Sequence, residues 1–341
     1  MNLKRIGVIT RLELTQRLRS PGWYVLLGIF LAVLLGVTVL AFMGYSYTST
    51  DVGVGVYAVI VNIVLLLVVL VSPTLSGTSI NGDREAATLA PVQVTLATTG
   101  DIMLGKLFAA VITGLAFVVV AVPFLVVSIV GGARAPLTLL VSLAILILEI
   151  VVVAAIGVGL SGLIARPLFS VAATYLVIAA LVIGTPIAFM LAGTAIRTDV
   201  TSHSRPYDAN GEPVCDRWDS HTYETMRGDL VWGVLAANPF VVLADATPVT
   251  FDDNGWPVDI FGSMKFGVRQ LQQAPQDTWW DDCAVENSVD DVRPQEVIES
   301  TTPLWAVGLG IHVVLAGSLF AGAWRRTRTP AHRMPPGTRI S

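Results

Sequence analysis

Six long apolar stretches divide the chain, near residues 22–44, 55–78, 107–130, 137–165, 168–193 and 304–324. A hydrocarbon core about 30 Å thick needs roughly 20 apolar residues per spanning helix. The pattern therefore predicts six transmembrane helices. The first stretch follows a charged, helix-compatible segment and ends at "MGYSYTST" rather than at a small-residue cleavage site. It reads as a retained span, not a signal peptide. A seventh apolar run, residues 229–247, is interrupted by Asn238-Pro239-Phe240 and bounded by Asp229 and Asp245. As a full span it would split the two basic chain ends and put Cys215 and Cys283 on opposite faces. A re-entrant or interfacial helix pair turning at Asn-Pro avoids both.

Charge turns this pattern into a topology. Charged residues are 13% of the chain and mean hydropathy is +0.70, against about 25% charged in ordinary soluble domains. Lys4, Arg5, Arg11, Arg17 and Arg19 precede the first span; Arg325, Arg326, Arg328, Arg333 and Arg339 follow the last, with no acid among them. Six spans put both ends on one side, and the excess of Lys and Arg makes that side cytoplasmic. Residues 195–303, between the fifth and sixth spans, carry 19 of the 25 acids and seven Lys or Arg. They fall outside. Both cysteines, Cys215 and Cys283, lie there, which predicts a disulfide in an oxidising compartment. In the chain-entropy model a loop of that length contributes about 4 kcal/mol. The expected fold is an all-α polytopic membrane protein, with spans 1–5 over 22–194, a disulfide-stapled extracellular domain over 195–303, the sixth span at 304–324 and a basic cytoplasmic tail at 325–341. Trp218, Trp232, Trp256, Trp279 and Trp280 are expected to build a small core in that domain. No metal site is expected: acids near "WWDDC" and "SVDDV" lack Ca²⁺-loop spacing, and the four histidines lack zinc spacing.

The loop between the second and third spans reads "INGDREAATLAPVQVTLATTGDIMLGK", residues 80–106. Asp83 and Glu85 suit a helix N-terminus, while Leu89, Val92, Val94 and Leu96 need a surface to cover. Within it Gly100 to Lys106 matches G-x-x-x-x-G-K, but Leu107 stands where a phosphate-binding loop needs Ser or Thr. The loop resembles that of ABC-type-2 exporter permeases, whose pattern runs acid-Arg-Glu-x-x-Thr-Leu and later Leu-Gly-Lys. Here those positions are Asp83, Arg84, Glu85, Thr88 and Leu89, then Leu104, Gly105 and Lys106. The chain departs at Ala87, where Gly is common, and at Thr95-Leu96, where the pattern has a Thr-Pro-Leu-like turn and this chain lacks the Pro. "RLELTQRLRSPGWYV" is similar to the family's amphipathic connecting helix (residues 1–21 here), and "NPF" at 238–240 to an Asn-Pro element before its last span. Residues 195–228 and 251–300 have no counterpart in the resemblance.

The resemblance implies a permease subunit in the plasma (inner) membrane. It would pair with a second identical or homologous permease and with two cytosolic ATPase subunits that hold ATP and Mg²⁺. This chain would carry no cofactor and no catalytic residue, and nothing suggests nucleic acid. Residues 81–97 would form the coupling helix seated on the ATPase, with Asp83, Arg84, Glu85, Thr88, Leu89 and Val92 as its contacts. Gly105 would permit a close turn into the third span, and Lys106 would reach lipid phosphate at the interface. A different function is a membrane scaffold or signalling subunit that passes ATPase state to an external partner.

A remoter one is a rhomboid-like serine protease, from Gly159-Leu160-Ser161-Gly162 in the fourth span and His312 in the sixth. Helical rise puts Ser161 ~6 Å and His312 ~18 Å from the same membrane face, whereas nucleophile and base must lie ~3 Å apart. Small-residue packing explains the stretch instead. Glu149, mid-span in the fourth helix, needs protein or water beside it. It lies within ~6 Å of His312 in depth, so the two are candidates for a polar lock or a path lining.

Overall fold

The computed structural model describes residues 2–48, 52–87, 97–133, 135–283 and 293–327. Six helical segments are long and apolar enough to cross a membrane: Pro21–Tyr47, Val52–Glu85, Thr99–Val130, Pro136–Leu163, Pro167–Ala195 and Leu304–Thr327. They coincide with the six apolar stretches, and the chain is a multi-pass membrane protein. In chain order the helices are α1 (Leu3–Leu18), α2 (Pro21–Thr48), α3 (Val52–Ser76), α4 (Asn81–Glu85), α5 (Thr99–Val130), α6 (Pro136–Leu163), α7 (Pro167–Ala179) and α8 (Thr185–Ala195). A polar domain follows, and α13 (Leu304–Thr327) closes the bundle. Proline opens α2, α6 and α7, where the missing N–H has no helical partner to lose.

Helices α3 and α6 form the centre: 56% of each apolar window is buried, against 17% for α2 and 22% for the α7–α8 span and α13. Trp23 and Phe30 of α2 close on Phe117 of α5, with centroids at 5.5 and 4.8 Å. The outer helices turn Leu35, Leu40, Leu176 and Val314 outward, as lipid-facing surfaces do. Small residues set the inner spacing. A Cβ on Gly157 would stand 1.9 Å from Ser76 Oγ, and one on Gly162 2.6 Å from Ala323 Cβ. This packs the "GVGLSGL" stretch of α6 against α3 and α13.

The fifth span is continuous but not uniformly α-helical. A π turn, Ala180–Gly184, joins α7 to α8, within an apolar run that carries no local signal for it.

The polar domain departs from the all-α expectation. It contains a three-stranded sheet of order β2-β1-β3: β1 (Arg197–Ser204) pairs antiparallel with β2 (Asp219–Met226) and parallel with β3 (Thr278–Trp280). "RTDVTSHS" and "DSHTYETM" bury only Val200 among their side chains, so no apolar alternation marked them as strands. Between β2 and β3 come α9 (Gly228–Val231), a 3₁₀ turn (Trp232–Ala237), α10 (Pro239–Ala246) and α11 (Ile260–Gln270); α12 (Pro294–Ser300) precedes α13. The segments Gly228–Ala237 and Pro239–Ala246 meet at 100°, with the break at the Asn238-Pro239 predicted to turn.

Cys215 and Cys283 are bonded. Arg205 holds the same junction: it pairs with Asp281, donates to Cys215 O at 2.8 Å and lies 3.7 Å over the Trp218 ring. Of the tryptophans expected to form a core, Trp232 packs half-buried against Ala236, Val241 and Leu304, while Trp256, Trp279 and Trp280 are exposed. Trp279 is 54% exposed and Trp280 47%. Trp279 stacks on His203 with centroids 3.8 Å apart and takes the edge of Trp218.

Candidate functional site

Two polar junctions lie inside the helical bundle, one at the C-terminal end of α6 around Ser161 and one at its middle around Glu149. The first gathers at the end where Asn2 and Thr327 both sit. α1 runs lengthwise along the start of α5. Asn2 N donates to Asp101 Oδ1 at 2.9 Å, Thr10 Oγ1 to Gly105 O at 3.0 Å, and Arg17 Nη1 to Thr113 Oγ1 at 2.8 Å. Between these contacts Lys106, 3% exposed, pairs with Glu13 of α1 and, at 2.7 Å, with Asp83 of α4.

This corrects two expectations. Lys106 does not reach outward to lipid phosphate, because α1 covers it and supplies a carboxylate. Gly105 is not at a turn. It lies within α5, where a Cβ would stand 2.7 Å from Ile9 Cγ2 and 3.2 Å from Ile6 O; the glycine lets α1 approach.

Residues Gly100–Lys106 are helical, following an N-cap at Thr98. Thr98 Oγ1 accepts from Asp101 N, and Asp101 Oδ2 accepts from Thr98 N. That capping box was visible as Thr-x-x-Asp before an apolar run and was passed over for the glycine-lysine pattern it overlaps. A phosphate cradle needs an open loop at these glycines; here they are helix.

α4 is short and locked from behind. Ile80 N and Asn81 N donate to Ser161 Oγ at 2.8 and 3.2 Å; Ser161 Oγ donates to Asn81 Oδ1, and Asn81 Nδ2 to Ile164 O. Arg84 reaches Thr327 Oγ1 at 3.3 Å, while Glu85 is exposed. Ala87, where the family pattern favours Gly, has φ +55°. Thr88, Leu89 and Val92 lie outside the described residues, as do 88–96 of the expected coupling helix.

The second junction is at the bend. Asn238 caps α10 by accepting from Phe240 N at 2.9 Å. Its amide donates to Val182 O at 2.9 Å and Thr185 Oγ1 at 3.0 Å, satisfying a carbonyl in the π turn of the fifth span. Ala237 O accepts from His312 Nε2 at 2.8 Å, and His312 Nδ1 lies 3.0 Å from Glu149 Oε1. So Glu149 and His312 do meet, both almost wholly buried. Ala237 O can only accept, so Nε2 carries a proton. Among the described residues, Glu149 Oε2 has no hydrogen-bond partner. Gly308 makes the fit possible: a Cβ there would stand 2.1 Å from Ala236 O.

Ser161 and His312 share no hydrogen bond. Each is engaged at a different junction, which is not the geometry of a nucleophile and its base.

Above the bend, Asp245 at the end of α10 takes Arg269 of α11 at 2.5 and 3.2 Å and accepts from Trp305 N at 2.9 Å. Arg269 also donates to Thr301 O at 2.6 Å. This ties the bend to the start of α13. Asp259, the N-cap of α11, accepts from Gly262 N at 2.7 Å; burial pushes its carboxyl up to about 6. Arg205 holds Asp281 below the usual carboxylate range. Among the described residues no cluster of His, Cys, Asp and Glu is arranged to hold a metal ion. Comparison with protein-family models and with curated proteins returns no match for this chain.

Proposed function

We propose that this chain is a permease subunit of an ATP-driven exporter, working with a second permease and with separate cytosolic ATPase subunits. One observation carries the reading. Two residues that bear the family resemblance, Asp83 and Lys106, come from opposite ends of the 80–106 loop and pair with each other, and Lys106 pairs also with Glu13 of the connecting helix. Connecting helix, coupling loop and third span thus act as one unit. Glu85 is left exposed on it, available to a partner. Ala87 supports the same reading, since its left-handed backbone explains why the pattern favours Gly there.

In this reading the basic ends are cytoplasmic and the polar domain lies outside. Movement of the ATPases pushes α4 and α1 together, and the spans rearrange beneath the domain, which caps the path through the bend at Asn238. Glu149 and His312 act as the polar lock between the fourth and sixth spans.

The test begins with the tagged full chain, purified from its native membrane in mild detergent. An ATP-binding-cassette ATPase should co-purify, and Glu85→Arg should release it without lowering the amount of chain in the membrane. Isolation of the wild-type chain without any such ATPase would sink the proposal. Co-purification without transport, but with an ATP-dependent change in an external partner, would favour the scaffold instead.

A further inference from the structure

Among the described residues, strand β2 has a neighbour on one side only. Its ladder with β1 runs unbroken from Arg197 opposite Met226 to Ser204 opposite Asp219. In an antiparallel ladder, opposed residues alternate between pairs that exchange hydrogen bonds and pairs whose backbone groups point away. Two bonds identify which are which. Arg227 N donates to Ile196 O at 2.9 Å, one step beyond the ladder. Thr201 N turns away from β2 and donates to Asp277 Oδ1 at 2.7 Å, on the β3 side. The residues opposite Thr201 and its alternates are therefore Ser220, Thr222 and Glu224, and their N–H and C=O groups point outward. Among the described residues none bonds to those outward groups. All three residues are exposed. No Pro, Gly, Lys or bulge interrupts the strand, and these are the usual devices for blunting an edge.

Charge selects the occupant. Residues 195–303 hold 19 acids and seven Lys or Arg. Six of those seven cations are already paired within the domain: Arg197, Arg205, Arg217, Arg227, Arg269 and Arg293. A second copy offering the same edge would bring two acidic surfaces together. A basic strand would meet Glu224 on one face of the sheet and Asp219 on the other, whose present partners Arg197 and Arg217 stand at 3.5 and 3.6 Å in largely exposed pairs. Such pairs contribute little and exchange readily. We propose that β2 is a docking strand: an extended segment of a cationic polypeptide adds beside it as a fourth strand, bonding to the backbone of Ser220, Thr222 and Glu224. Strand addition of this kind draws affinity from main-chain bonds and selectivity from side chains. The proposal does not depend on the exporter reading; where both hold, cationic peptides are the ligand class the domain handles.

The probe is a fluorescent peptide of about eight residues alternating Lys and Thr, titrated into the full chain in nanodiscs of zwitterionic lipid. Two control peptides carry Glu in place of Lys, or N-methyl groups at alternate residues in each register. Each control should bind about ten-fold more weakly or worse, the loss of one or two net hydrogen bonds or their charge-assisted equivalent. Thr222→Pro should weaken the Lys peptide similarly while leaving the thermal midpoint of the helical bundle in place. Equal binding of the N-methylated peptides would reduce the effect to surface electrostatics and overturn the proposal. So would equal binding of the Glu peptide. Efficient Thr222→Cys cross-linking between two copies would also overturn it, making a second copy the occupant.

Discussion

Replacing Lys106 separates the two physical pictures of the "LGK" motif. If its ammonium lay in the lipid interface, Lys106→Met would be nearly neutral, because the stem would stay packed and only a solvated charge would go. The structure places it instead under α1, 3% exposed, between Glu13 and Asp83. Removing the cation leaves two carboxylates facing each other in a largely dry space. Breaking a fully buried pair by deleting one partner costs about 3–5 kcal/mol. Glu13 is 16% exposed and Asp83 36%, so water screens part of the repulsion. The expected loss is therefore near the lower end, about 3 kcal/mol. Purified chain in detergent should show a thermal midpoint several degrees lower for Lys106→Met. The double variant Lys106→Met with Glu13→Leu should recover most of the loss, because replacing a buried pair by apolar groups is often neutral. A neutral Lys106→Met, or a double variant worse than the single, would refute the ion cluster and with it the unit on which the exporter reading rests.

Ala87→Gly should stabilise the chain by about 1 kcal/mol by relieving the left-handed backbone; a lowered thermal midpoint would contradict that φ. His312→Leu should cost about 3 kcal/mol by stranding buried Glu149, and adding Glu149→Leu should restore most of it, less the bond to Ala237 O; both are read from thermal midpoints. Asp259 gives a pH signature. Its folded carboxyl is raised from 3.8 to about 6, so the folded state favours its protonated form. That contribution is fully present below about pH 4 and is lost as pH rises through 6. Asp259→Asn keeps the cap on Gly262 N without titrating. It should stabilise the polar domain at pH 7.5 by about 3 kcal/mol at most and flatten the pH dependence of its hydrogen-exchange protection between about pH 4 and 6; an unchanged pH profile would count against the burial of this group.

The membrane architecture was legible because apolar length is its signal. All six segments and the break at Asn238-Pro239 could be read from hydropathy and one breaker dipeptide. The disulfide was legible from two cysteines in one polar segment. What escaped were features fixed by contact between distant positions. Nothing near Ala180–Gly184 announces a π turn; its carbonyl at Val182 is satisfied by Asn238, far along the chain. Arg205 looks like any surface arginine until Asp281 and Trp218 close around it. The strands were hidden because a sheet exposed on both faces carries no alternation. Glu149 and His312 could be matched in depth, but azimuth around each helix was unknown, so contact waited for the fold. Lys106 could be expected to face lipid because the helix that covers it, α1, is packed there through Gly105, a contact between distant positions that the local pattern does not announce.

The two junctions are joined by one helix. Glu149 and Ser161 are twelve residues apart on α6, about 18 Å along its axis. Ser161 holds the backbone at Ile80 and Asn81, next to the ion cluster, and Glu149 holds His312 and through it the bend at Ala237. Between them Gly157 and Gly159 would ordinarily offer slack. Here both are in tight contact, with Ser76 of α3 and Leu319 of α13 where their side chains would be. Close-packed interiors transmit displacement rather than absorb it. A push on α4 therefore cannot be lost by bending α6 locally; it must move α6 as a rod or break the Ser161 contacts. This gives the exporter reading its mechanical requirement. Ser161→Ala, which removes three of the hydrogen bonds while sparing the small-residue packing, should leave the assembled complex hydrolysing ATP while transport falls. Parallel loss of both activities would instead place Ser161 in assembly, and unchanged transport would show that α6 is not the connection.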